Sequence, residues 1–456
     1  MARVNSCNKI LDYFNNSSYD WFGNTQIKIT ENYLSIFLNK RILIYGSGKS
    51  GLSTLEFLKN KCEVFLYDDF KKNLKKSISQ KFILRNQFDF IIISPGIDLN
   101  KCKLSGYLKK NLEKIHTDLD VFYSFYKNDC ISVTGTNGKS TTCQLLYKIL
   151  SKHKYDVKLA GNIGRPILSI KNIKSKTIFV IEASSYQLEY SKIFQSKYAV
   201  ILNIAPDHLE RHKTINNYVK AKFKILDKNS KNYFGFVNKK DLLTTNELRK
   251  QKIKRKILRV NVYPENYIKE KIGNEYFLNE ANIENFSFIM AISNKLRLKK
   301  KIVFETLKKF RGLRFRQQII YKNSFLTIIN DSKSTSFSSS ISILKNKLNI
   351  YWLLGGIPKK GDKLNLPKKY YTNIKAFIYG RNKKFFIKQL KGKIQHSNFN
   401  NLNDALKKLF LIIDKKNFPK KNIIFSPSAA SFDSFKNFED RGFYFNRLVK
   451  KYLNGK

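Results

Sequence analysis

Acidic side chains are scarce in this sequence, which carries 34 Asp and Glu against 87 Lys and Arg and has a formal net charge of +53. Such a balance first suggests a nucleic-acid partner. The lysines are scattered over the whole chain, however, and the abundant Ile, Asn, Phe and Tyr are typical of a codon bias toward A and T. No zinc-finger spacing or RNA-binding aromatic motif accompanies the charge. We therefore expect no nucleic-acid partner, but a basic surface that attracts small anionic substrates.

Paired cysteines and long hydrophobic runs are also missing. The five cysteines, Cys7, Cys62, Cys102, Cys130 and Cys143, form no C-x-x-C pair, which argues against a disulfide framework or a zinc site. No run of about 20 apolar residues is present, so no membrane span is expected. The first residues lack a basic start followed by an apolar run, so no secretory signal is expected. The sequence predicts a cytoplasmic protein with reduced thiols.

The length and the alternation of elements predict the fold class. The chain has 456 residues, enough for about three domains, and strands alternating with helices predict parallel sheets. We predict an α/β fold with three domains. The N-terminal domain is Rossmann-like, the central domain has a P-loop and a parallel α/β sheet, and the C-terminal domain is Rossmann-like α/β. The predicted bounds are 1–38 for a variable N-terminal extension and 39–128, 129–312 and 313–456 for the domains.

A phosphate-binding turn is predicted after a strand at 130–133, where residues 134–140 read T-G-T-N-G-K-S before an apolar helix. Backbone N–H groups and the positive helix end would face an anion. Lys139 would reach the outer phosphates, and the Ser140 hydroxyl would bind magnesium. Val133 stands where the usual G-x-x-x-x-G-K-[ST] pattern has its first glycine. An ordinary βα turn that happens to carry a lysine remains the alternative.

A second glycine turn lies nearer the N-terminus. A predicted strand at 41–45 leads into G-S-G-K-S-G at 46–51, and another strand at 63–67 ends before Asp68. A G-x-G-x-x-G turn with an acidic residue about 20 positions later is the dinucleotide fingerprint. Alone, it indicates an anionic nucleotide at a helix start and does not distinguish NAD from a UDP-sugar.

Polar residues follow two predicted strands of the central segment. The strand at 177–181 runs into Glu182, and the strand at 199–204 runs into A-P-D-H at 205–208. Ligands of parallel sheets lie at the carboxyl ends of strands, so Glu182 and His208 could bind magnesium together with Ser140. A packed Asp207–His208 loop pair is the alternative. Lys222 lies on a predicted helix and, from the residues alone, indicates only a solvated surface.

Three loops of the third segment are rich in small polar or cationic residues. They read D-S-K-S-T at 331–335, G-G-I-P-K-K-G at 355–361 and S-P-S-A-A-S at 426–431. Each alone is compatible with ordinary turn chemistry. Together they favour a site for a second anionic substrate.

These stretches, from about residue 41 to the C-terminus, resemble the Mur ligase family. The motifs that carry the resemblance are V-T-G-T-N-G-K-S-T-T at 133–142, G-N-I-G at 161–164, E-A-S-S-Y-Q-L-E at 182–189, A-P-D-H-L-E-R-H at 205–212, N-D-S-K-S-T at 330–335 and S-P-S-A-A-S-F-D-S-F-K-N-F-E-D-R-G at 426–442. The last motif is most similar to that of members that add D-glutamate. The first glycine turn argues against the folylpolyglutamate synthases, which lack such a domain.

The resemblance implies an ATP-dependent ligase that adds D-glutamate to UDP-N-acetylmuramoyl-L-alanine through an acyl phosphate, in peptidoglycan precursor synthesis. It implies ATP, magnesium at two sites, a carbamylated Lys222 and a monomer. Three alternatives stay open: another Mur-type amino-acid ligase, a basic P-loop ATPase stimulated by nucleic acid, and a non-catalytic homologue.

The resemblance also implies roles residue by residue. The catalytic residues are Lys139, His208 and Lys222, and the magnesium ligands are Ser140, Glu182, His208 and carbamylated Lys222. The ATP contacts are Gly135, Thr136, Asn137, Gly138, Lys139, Ser140, Thr141, Asn282, Asn285, Arg316 and Asp331. The substrate contacts are Lys49, Ser50 and Asp68 for uridine diphosphate, Asn162, Ser184 and Ser185 on the substrate side, and Lys333, Thr335, Lys359, Ser431 and Phe438 for D-glutamate.

Some positions depart from the family pattern. The family's G-L-x-H-R-x-E reads G-L-R-F-R-Q-Q at 312–318, so Phe315 and Gln318 replace a His and a Glu. Ala281 replaces a His before Asn282, and Asp69 replaces a Thr that often follows the first acidic residue. These departures concern the domain hinge and the nucleotide contacts, and they leave the phosphate, metal and D-glutamate positions intact.

Overall fold

The computed structural model describes residues 35–70, 77–226, 232–251, 253, 256–413 and 419–454. They divide into two compact units. Unit 1 comprises the described parts of Met1–Thr136 and Lys154–Val260, and unit 2 those of Asn137–His153 and Asn261–Lys456. The predicted N-terminal extension lies outside the described residues up to residue 34. Phe37, also assigned to that extension, is fully buried in the core of unit 1.

The described strands form one sheet of four strands and two of six. The first sheet, in the order β2-β1-β3-β4, contains β1 (Arg41–Tyr45), β2 (Glu63–Tyr67), β3 (Phe90–Ile93) and β4 (Ile115–His116). The second, in the order β10-β9-β8-β5-β7-β6, contains β5 (Cys130–Thr134), β6 (Val157–Gly161), β7 (Ile178–Glu182), β8 (Tyr198–Ile201), β9 (Phe234–Asn238) and β10 (Lys256–Val260). Both of these sheets belong to unit 1 and are parallel.

The third sheet belongs to unit 2, in the order β11-β12-β16-β13-β14-β15. It contains β11 (Gln318–Lys322), β12 (Leu326–Asn330), β13 (Ile350–Gly355), β14 (Ile374–Tyr379), β15 (Gln395–Phe399) and β16 (Lys421–Phe425). Only the β11–β12 pair among these strands is antiparallel.

Helices alternate with the strands along much of the chain. In chain order they are α1 (Lys49–Leu58), α2 (Gln80–Arg85), α3 (Ser105–Lys110), α4 (Asp118–Phe125), α5 (Lys139–Lys152), α6 (Ser185–Tyr190), α7 (Leu209–His212), α8 (Ile215–Phe223), α9 (Leu242–Lys250), α10 (Glu265–Lys271), α11 (Glu280–Lys295), α12 (Lys300–Lys308), α13 (Phe337–Lys345), α14 (Lys383–Leu390), α15 (Leu402–Ile412) and α16 (Phe438–Leu453).

The register of the second sheet places several strand ends at one edge. Val133 of β5 pairs with Glu182 of β7, and Thr134 pairs with Ile201 of β8. Both β5 and β8 are buried throughout, as expected for interior strands of a parallel sheet. The carboxyl ends of β5, β7 and β8 are therefore neighbours within unit 1.

The predicted α/β fold class with three sheets is confirmed. Each sheet falls inside one predicted domain, while the boundaries near 38, 128 and 312 stay predictions. The prediction for 199–204 was too long, because β8 spans Tyr198–Ile201 and residues 202–204 are not part of the strand. Strands β4, β9, β10, β11 and β15 were missed. Except for β9, these are sheet edges; β4 has only two residues, and none of β10, β11 and β15 contains two consecutive buried residues.

Candidate functional site

The first glycine turn, in unit 1, uses its three glycines differently. Gly46 has φ +102°, a conformation that L side chains rarely adopt. A Cβ at Gly51 would lie 1.8 Å from the Gly46 carbonyl oxygen, so α1 can approach the turn only with glycine there. A Cβ at Gly48 would meet nothing within 4 Å. This division matches a turn that bends at its first glycine, admits an anion at the second and packs its helix at the third.

The predicted uridine-diphosphate residues lie around this turn. The Asp68 carboxylate accepts hydrogen bonds from the Ser47 N–H and hydroxyl groups, both at 2.7 Å, and so braces the turn. Lys49 is exposed at the start of α1, and Ser50 is partly buried beside it. Asp118, which no sequence pattern indicated, has a buried carboxyl group; burial raises its pKa, and the neighbouring Ser50 side chain opposes that rise.

Glu182 lies at the end of β7 and is 2% exposed. Its carboxylate accepts a hydrogen bond from Asn162 Nδ2 at 3.0 Å, and its carbonyl accepts one from the Asn162 N–H at 2.9 Å. A Cβ at Gly161 would lie 2.4 Å from the same carbonyl oxygen. The G-N-I-G motif therefore needs its first glycine so that Asn162 can orient the Glu182 carboxylate.

His208 is the N-cap of α7 with φ +56°, and its ring lies beside that of Tyr186 on α6. Its Nδ1 lies 2.8 Å from the Tyr186 hydroxyl, and its Nε2 lies 3.4 Å from an Asp207 carboxylate oxygen. Burial raises the pKa of Tyr186, so this phenol is neutral at physiological pH. A ring nitrogen binds a metal only through its lone pair. His208 Nε2 could therefore act as a ligand only when Nδ1 carries the proton and donates it to Tyr186.

Two serines begin α6 after Glu182. Ser184 forms a capping box with Gln187, because its hydroxyl accepts from the Gln187 N–H while the Gln187 side chain accepts from the Ser184 N–H. The Ser185 hydroxyl lies 3.0 Å from His212 Nε2. Burial, aided by nearby Arg211, lowers the pKa of His212 to about 4. His212 therefore meets Ser185 as a neutral ring at physiological pH.

Lys222 on α8 is 1% exposed, so the residue-based expectation of a solvated lysine was wrong. Its Nζ donates to the Gly135 carbonyl at 2.8 Å and lies 4.5 Å from the centroid of the Tyr218 ring. Lysines are rarely this buried without a specific partner or role. The structure thus places Lys222 against the first half of the phosphate turn.

The boundary between the two units falls inside the predicted phosphate turn, after Thr136. In unit 1, Gly135 has φ +153°. The Thr136 N–H donates a hydrogen bond to the Asn203 carbonyl at 2.9 Å, and the Thr136 hydroxyl donates one to the Ala205 carbonyl at 3.1 Å. This half of the turn is fixed by the loop that follows β8.

The second half of the turn starts α5 in unit 2. Gly138 is the N-cap at φ +83°, and no side chain caps the helix there. Lys139 is partly buried, and Ser140 is 1% exposed. Asn137 is also partly buried. The first N–H groups of any α-helix have no acceptor within the helix, and a helix start is therefore suited to bind an anion.

A chain of side-chain contacts in unit 2 joins α5 to the predicted adenine-side residues. Thr142 donates to Asn285 at 3.3 Å, and Asn285 donates to Asn282 at 3.1 Å. Asn282 in turn donates to the Tyr276 carbonyl at 2.8 Å, while the Tyr276 hydroxyl lies 3.4 Å from that of Thr141. Both asparagines are thus held in fixed orientations beside the phosphate-turn helix.

Asp331 follows β12 and is 5% exposed. Its carboxyl group accepts from the Gln317 N–H at 3.1 Å and from the Ser426 hydroxyl at 2.8 Å. Burial raises the pKa of Asp331 to about 7, and the hydrogen bonds and the charge of Arg316 offset only part of the rise. Arg316 and Asp331, both predicted to contact ATP, are therefore close enough to interact.

The three predicted loops of unit 2 meet at the carboxyl ends of β12, β13 and β16. The Lys333 ammonium group lies 4.1 Å from the centroid of the Phe438 ring. Ile357 and Ala430 exchange two backbone hydrogen bonds of 2.9 Å, which join the loop of Lys359 to that of Ser431. Ser431 is 3% exposed, whereas Thr335 and Lys359 are partly buried. The structure therefore gathers most of the residues predicted to bind D-glutamate.

The side chain of Arg441, on α16, connects these loops, although no sequence pattern assigned a role to this residue. Its side chain is fully buried and donates to the carbonyls of Ser332 at 2.7 Å and Ala429 at 2.9 Å. Nη1 lies 3.5 Å from the Gly355 carbonyl. Only the N-F-E-D-R-G context pointed to this residue, because a buried arginine that serves carbonyls has no signature of its own.

Two departures from the family pattern have local explanations. Phe315, at φ +62°, is buried and packs over Gly442, where a Cβ would lie 2.4 Å from the ring. The Gln318 side-chain oxygen accepts a hydrogen bond from the Phe315 N–H at 3.1 Å, a contact that a Glu oxygen could also make. Ala281 lies partly buried on α11 and Asp69 accepts from Tyr45 at 2.7 Å.

The donor set fits magnesium better than a metal held by protein alone. No group of three or more His, Cys, Asp and Glu side chains suited to a metal occurs among the described residues. Magnesium commonly keeps water molecules and substrate phosphates as ligands and needs only one or two carboxylates. Glu182, with His208, supplies such a partial set. Across the described ranges, no helix is long and apolar enough to cross a membrane.

Known proteins resemble this chain along most of its length. A family model described as the Mur ligase middle domain matches residues 133–301. The chain is 34% identical over 443 residues to UDP-N-acetylmuramoylalanine--D-glutamate ligase of Rickettsia felis, covering 91% of this chain and 97% of that protein. The protein of that name from Buchnera aphidicola is 35% identical over 446 residues, covering 91% and 99%. The solved MurF ligase from Thermotoga maritima in complex with ADP shares the fold, with TM-score 0.55 and 15% identity over 92% of this chain and 100% of that chain.

Proposed function

The chain belongs to the Mur ligase family, and on that premise we propose that it is the ATP-dependent ligase that adds D-glutamate to UDP-N-acetylmuramoyl-L-alanine in peptidoglycan precursor synthesis. The similarity over 91% of the chain carries the proposal, because it includes the nucleotide turns and the amino-acid loops together. The contact of Lys333 with Phe438 supports it, because both were assigned to the D-glutamate pocket. We further propose that it acts as a cytoplasmic monomer.

The reaction needs an activated carboxylate, because a free carboxylate is a poor electrophile. The L-alanine carboxylate attacks the γ-phosphoryl group of ATP, giving an acyl phosphate and ADP. The D-glutamate amine then attacks the acyl carbon, and phosphate leaves as the amide forms. In such a reaction the protein contributes mainly by positioning the substrates and stabilising the phosphoryl charge.

The residues take roles that their surroundings support. Lys139 and the N–H groups at the start of α5 bind ATP phosphates. Asn282 and Asn285 contact the adenine side, and Arg316 and Asp331 also contact ATP. The exposed Gly48 and Lys49 receive the diphosphate of the UDP-sugar. Lys333, Thr335, Lys359, Ser431 and Phe438 bind D-glutamate, whose two carboxylates suit the lysines.

Ser140, Glu182, His208 and Lys222 would hold magnesium. When bound, magnesium offsets the negative charge on the phosphoryl group that is transferred. We propose that Lys222 is carbamylated and binds a second magnesium ion. Carbamylation replaces the positive ammonium group of this buried lysine with a negative carbamate, which attracts a metal cation instead of repelling it. The carbamate nitrogen keeps an N–H that can still donate to the Gly135 carbonyl. An intact-protein mass in bicarbonate buffer, compared with Lys222→Arg, should show one added CO₂ in the unmutated chain alone.

Phosphate release measured with one substrate omitted at a time tests the proposal. Release should require the UDP-sugar, D-glutamate and ATP together, and Lys139→Ala should abolish it. Release that continues without D-glutamate, or that another amino acid supports equally well, would favour a different Mur-type ligase. Full activity of Lys139→Ala would overturn the role of the phosphate turn.

A further inference from the structure

Two buried side chains of unit 1 to which the sequence assigned no role, Asp118 and Gln187, lie between predicted substrate residues. Ser50 of the first glycine turn lies beside the Asp118 carboxyl group, whose pKa is raised by burial and lowered in part by Ser50. The same carboxyl accepts from Gln187 Nε2, at 3.1 Å and 3.3 Å to its two oxygens. Gln187 Oε1 then faces Ser184, which lies just after the Glu182 strand. Hydrogen bonds thus connect Asp118, beside the first glycine turn, through Gln187 to Ser184.

The direction of these hydrogen bonds follows from one fixed donor. The backbone N–H of Ser184 can only donate, and it lies 3.2 Å from Gln187 Oε1. The amide is therefore oriented with its oxygen toward Ser184 and its Nε2 toward Asp118. Asp118 provides an acceptor oxygen for Nε2 in either protonation state. Asp118 consequently secures the only amide orientation that satisfies both neighbours.

The same logic determines what Ser184 can offer a ligand. Its hydroxyl proton points to Gln187 Oε1 at 3.1 Å, while one lone pair accepts from the Gln187 N–H at 3.2 Å. A hydroxyl has one proton and two lone pairs, so a single lone pair is left. Ser184 is only partly buried and can be reached by a ligand. It therefore offers a ligand an acceptor rather than a donor.

A neighbouring acid shows that Asp118 is not simply a helix cap. Asp120 on the same helix is fully buried, and its carboxylate accepts the N–H groups of Lys192, Ile193 and Phe194 at 2.9–3.0 Å. That pattern is structural, because it closes a loop. Asp118, 3% exposed, instead accepts hydrogen bonds from the Gln187 side chain, which leads to Ser184.

We propose that Asp118 is a positioning residue of the UDP-sugar site, which orients Ser184 through Gln187 so that Ser184 accepts a hydrogen bond from an N–H or O–H group of the UDP-sugar. The inference rests on the proposed function for the identity of the substrate. It assigns Asp118 and Gln187 roles that act through Ser184, without contact between Asp118 and the substrate.

Binding of UDP-N-acetylmuramoyl-L-alanine to the full chain, by calorimetry without ATP or D-glutamate, tests the inference. Asp118→Ala should raise Kd about 10-fold, the loss expected for one hydrogen bond in a binding site. Asp118→Asn keeps an acceptor for Gln187 Nε2 and should stay within about 3-fold. In a Ser184→Ala background, Asp118→Ala should add less than about 2-fold, because both changes remove the same contact.

Ser124→Ala is the matched control. Ser124 is buried on the same helix, but its hydroxyl pairs with that of Ser35 at 2.5 Å, away from Gln187. This variant should leave Kd unchanged even if its thermal midpoint falls. Where Asp118→Ala does not fold, Gln187→Met should give the same loss of affinity and the same lack of additivity with Ser184→Ala.

The outcomes separate this inference from the proposed function. Full additivity of Asp118→Ala with Ser184→Ala, or an equal effect of Ser124→Ala, would overturn the positioning role even in an active ligase. Binding of the UDP-sugar without any D-glutamate-dependent product would contradict the proposed function and leave the positioning test valid. A chain that does not bind the UDP-sugar would overturn both.

Discussion

At the residue scale, the energetics of Asp331 depend on pH. Burial raises its pKa from 3.8 to about 7. A carboxyl group whose pKa is higher in the folded state stabilises the fold below its unfolded pKa, and that contribution is lost as the pH rises through the folded pKa. A difference of about three units corresponds to at most about 4 kcal/mol. At neutral pH and above, Asp331 therefore lowers the stability of the protein, a cost consistent with a functional role.

Asp331→Asn should remove this penalty. In urea unfolding, the wild-type free energy of unfolding should decrease between about pH 4 and about pH 8. In the variant this decrease should be smaller, by up to about 4 kcal/mol. The variant should then be more stable than wild type at about pH 8 but defective in ATP-dependent turnover. Glu270→Gln, an exposed acid of the same unit, should leave the pH profile unchanged. A variant that follows the wild-type profile would show that Asp331 is not the titrating group.

Residue identity predicted some of the site, and the remainder depended on three-dimensional surroundings. Glu182 and His208 could be selected because strand ends are visible in the sequence as apolar runs that stop at polar residues. The burial of Lys222 could not, because its helix pattern is the same as that of a surface lysine. Asp118 and Arg441 were missed for a related reason, since their partners are distant in sequence and many of those partners are backbone carbonyls or amides.

At the scale of elements, the first turn depends on a close approach between α1 and the strand before it. Gly51→Ala places a Cβ 1.8 Å from the Gly46 carbonyl, so the helix or the turn must move. We expect a loss of about 2–4 kcal/mol in unfolding free energy and weaker UDP-sugar binding. Urea unfolding and calorimetry measure the two effects.

Gly106→Ala gives the matched comparison for that substitution. Gly106 is exposed on α3, and a Cβ there would meet nothing within 4 Å. Alanine at a helix position is favoured over glycine by about 1 kcal/mol, so this variant should be slightly more stable and bind normally. Equal stability of Gly51→Ala and Gly106→Ala would mean that α1 does not pack as described.

Element boundaries were predictable where strands are interior and uncertain where they are edges. The strands β1, β5, β12 and β16 are buried over most or all of their length, and their runs of apolar residues predict them from the sequence. The edge strand β15 reads Q-H-S-N-F, with only partial burial, and lacks both periodicity and a hydrophobic run. Its pairing with β14 depends on backbone hydrogen bonds, which sequence patterns do not report.

At the scale of the whole molecule, the net charge of +53 bears on two questions. The first is whether a nucleic-acid-stimulated ATPase remains a rival to the proposed ligase. We expect ATP turnover at physiological salt to be unaffected by single-stranded or duplex DNA and by RNA, and to depend on the UDP-sugar and D-glutamate. Stimulation by nucleic acid that weakens steeply with added salt, the signature of phosphate contacts, would favour the rival.

The second question is how the charge affects stability. Basic residues outnumber acidic ones 87 to 34, so most cannot have an acidic partner of their own. Many of the described ion pairs, such as Arg41–Glu63 and Lys322–Glu275, are solvent-exposed and contribute little. Repulsion between like charges then opposes the compact state, and salt screens this repulsion.

The thermal midpoint should rise by a few degrees between about 0.02 M and about 0.3 M KCl, where the Debye length shrinks from roughly 20 Å to below 10 Å. Because phosphate binds specifically to anion sites, the titration should use a buffer without phosphate, and sucrose at matched osmolality serves as the control. A midpoint that falls with KCl would mean that ion pairs outweigh the repulsion in spite of the composition.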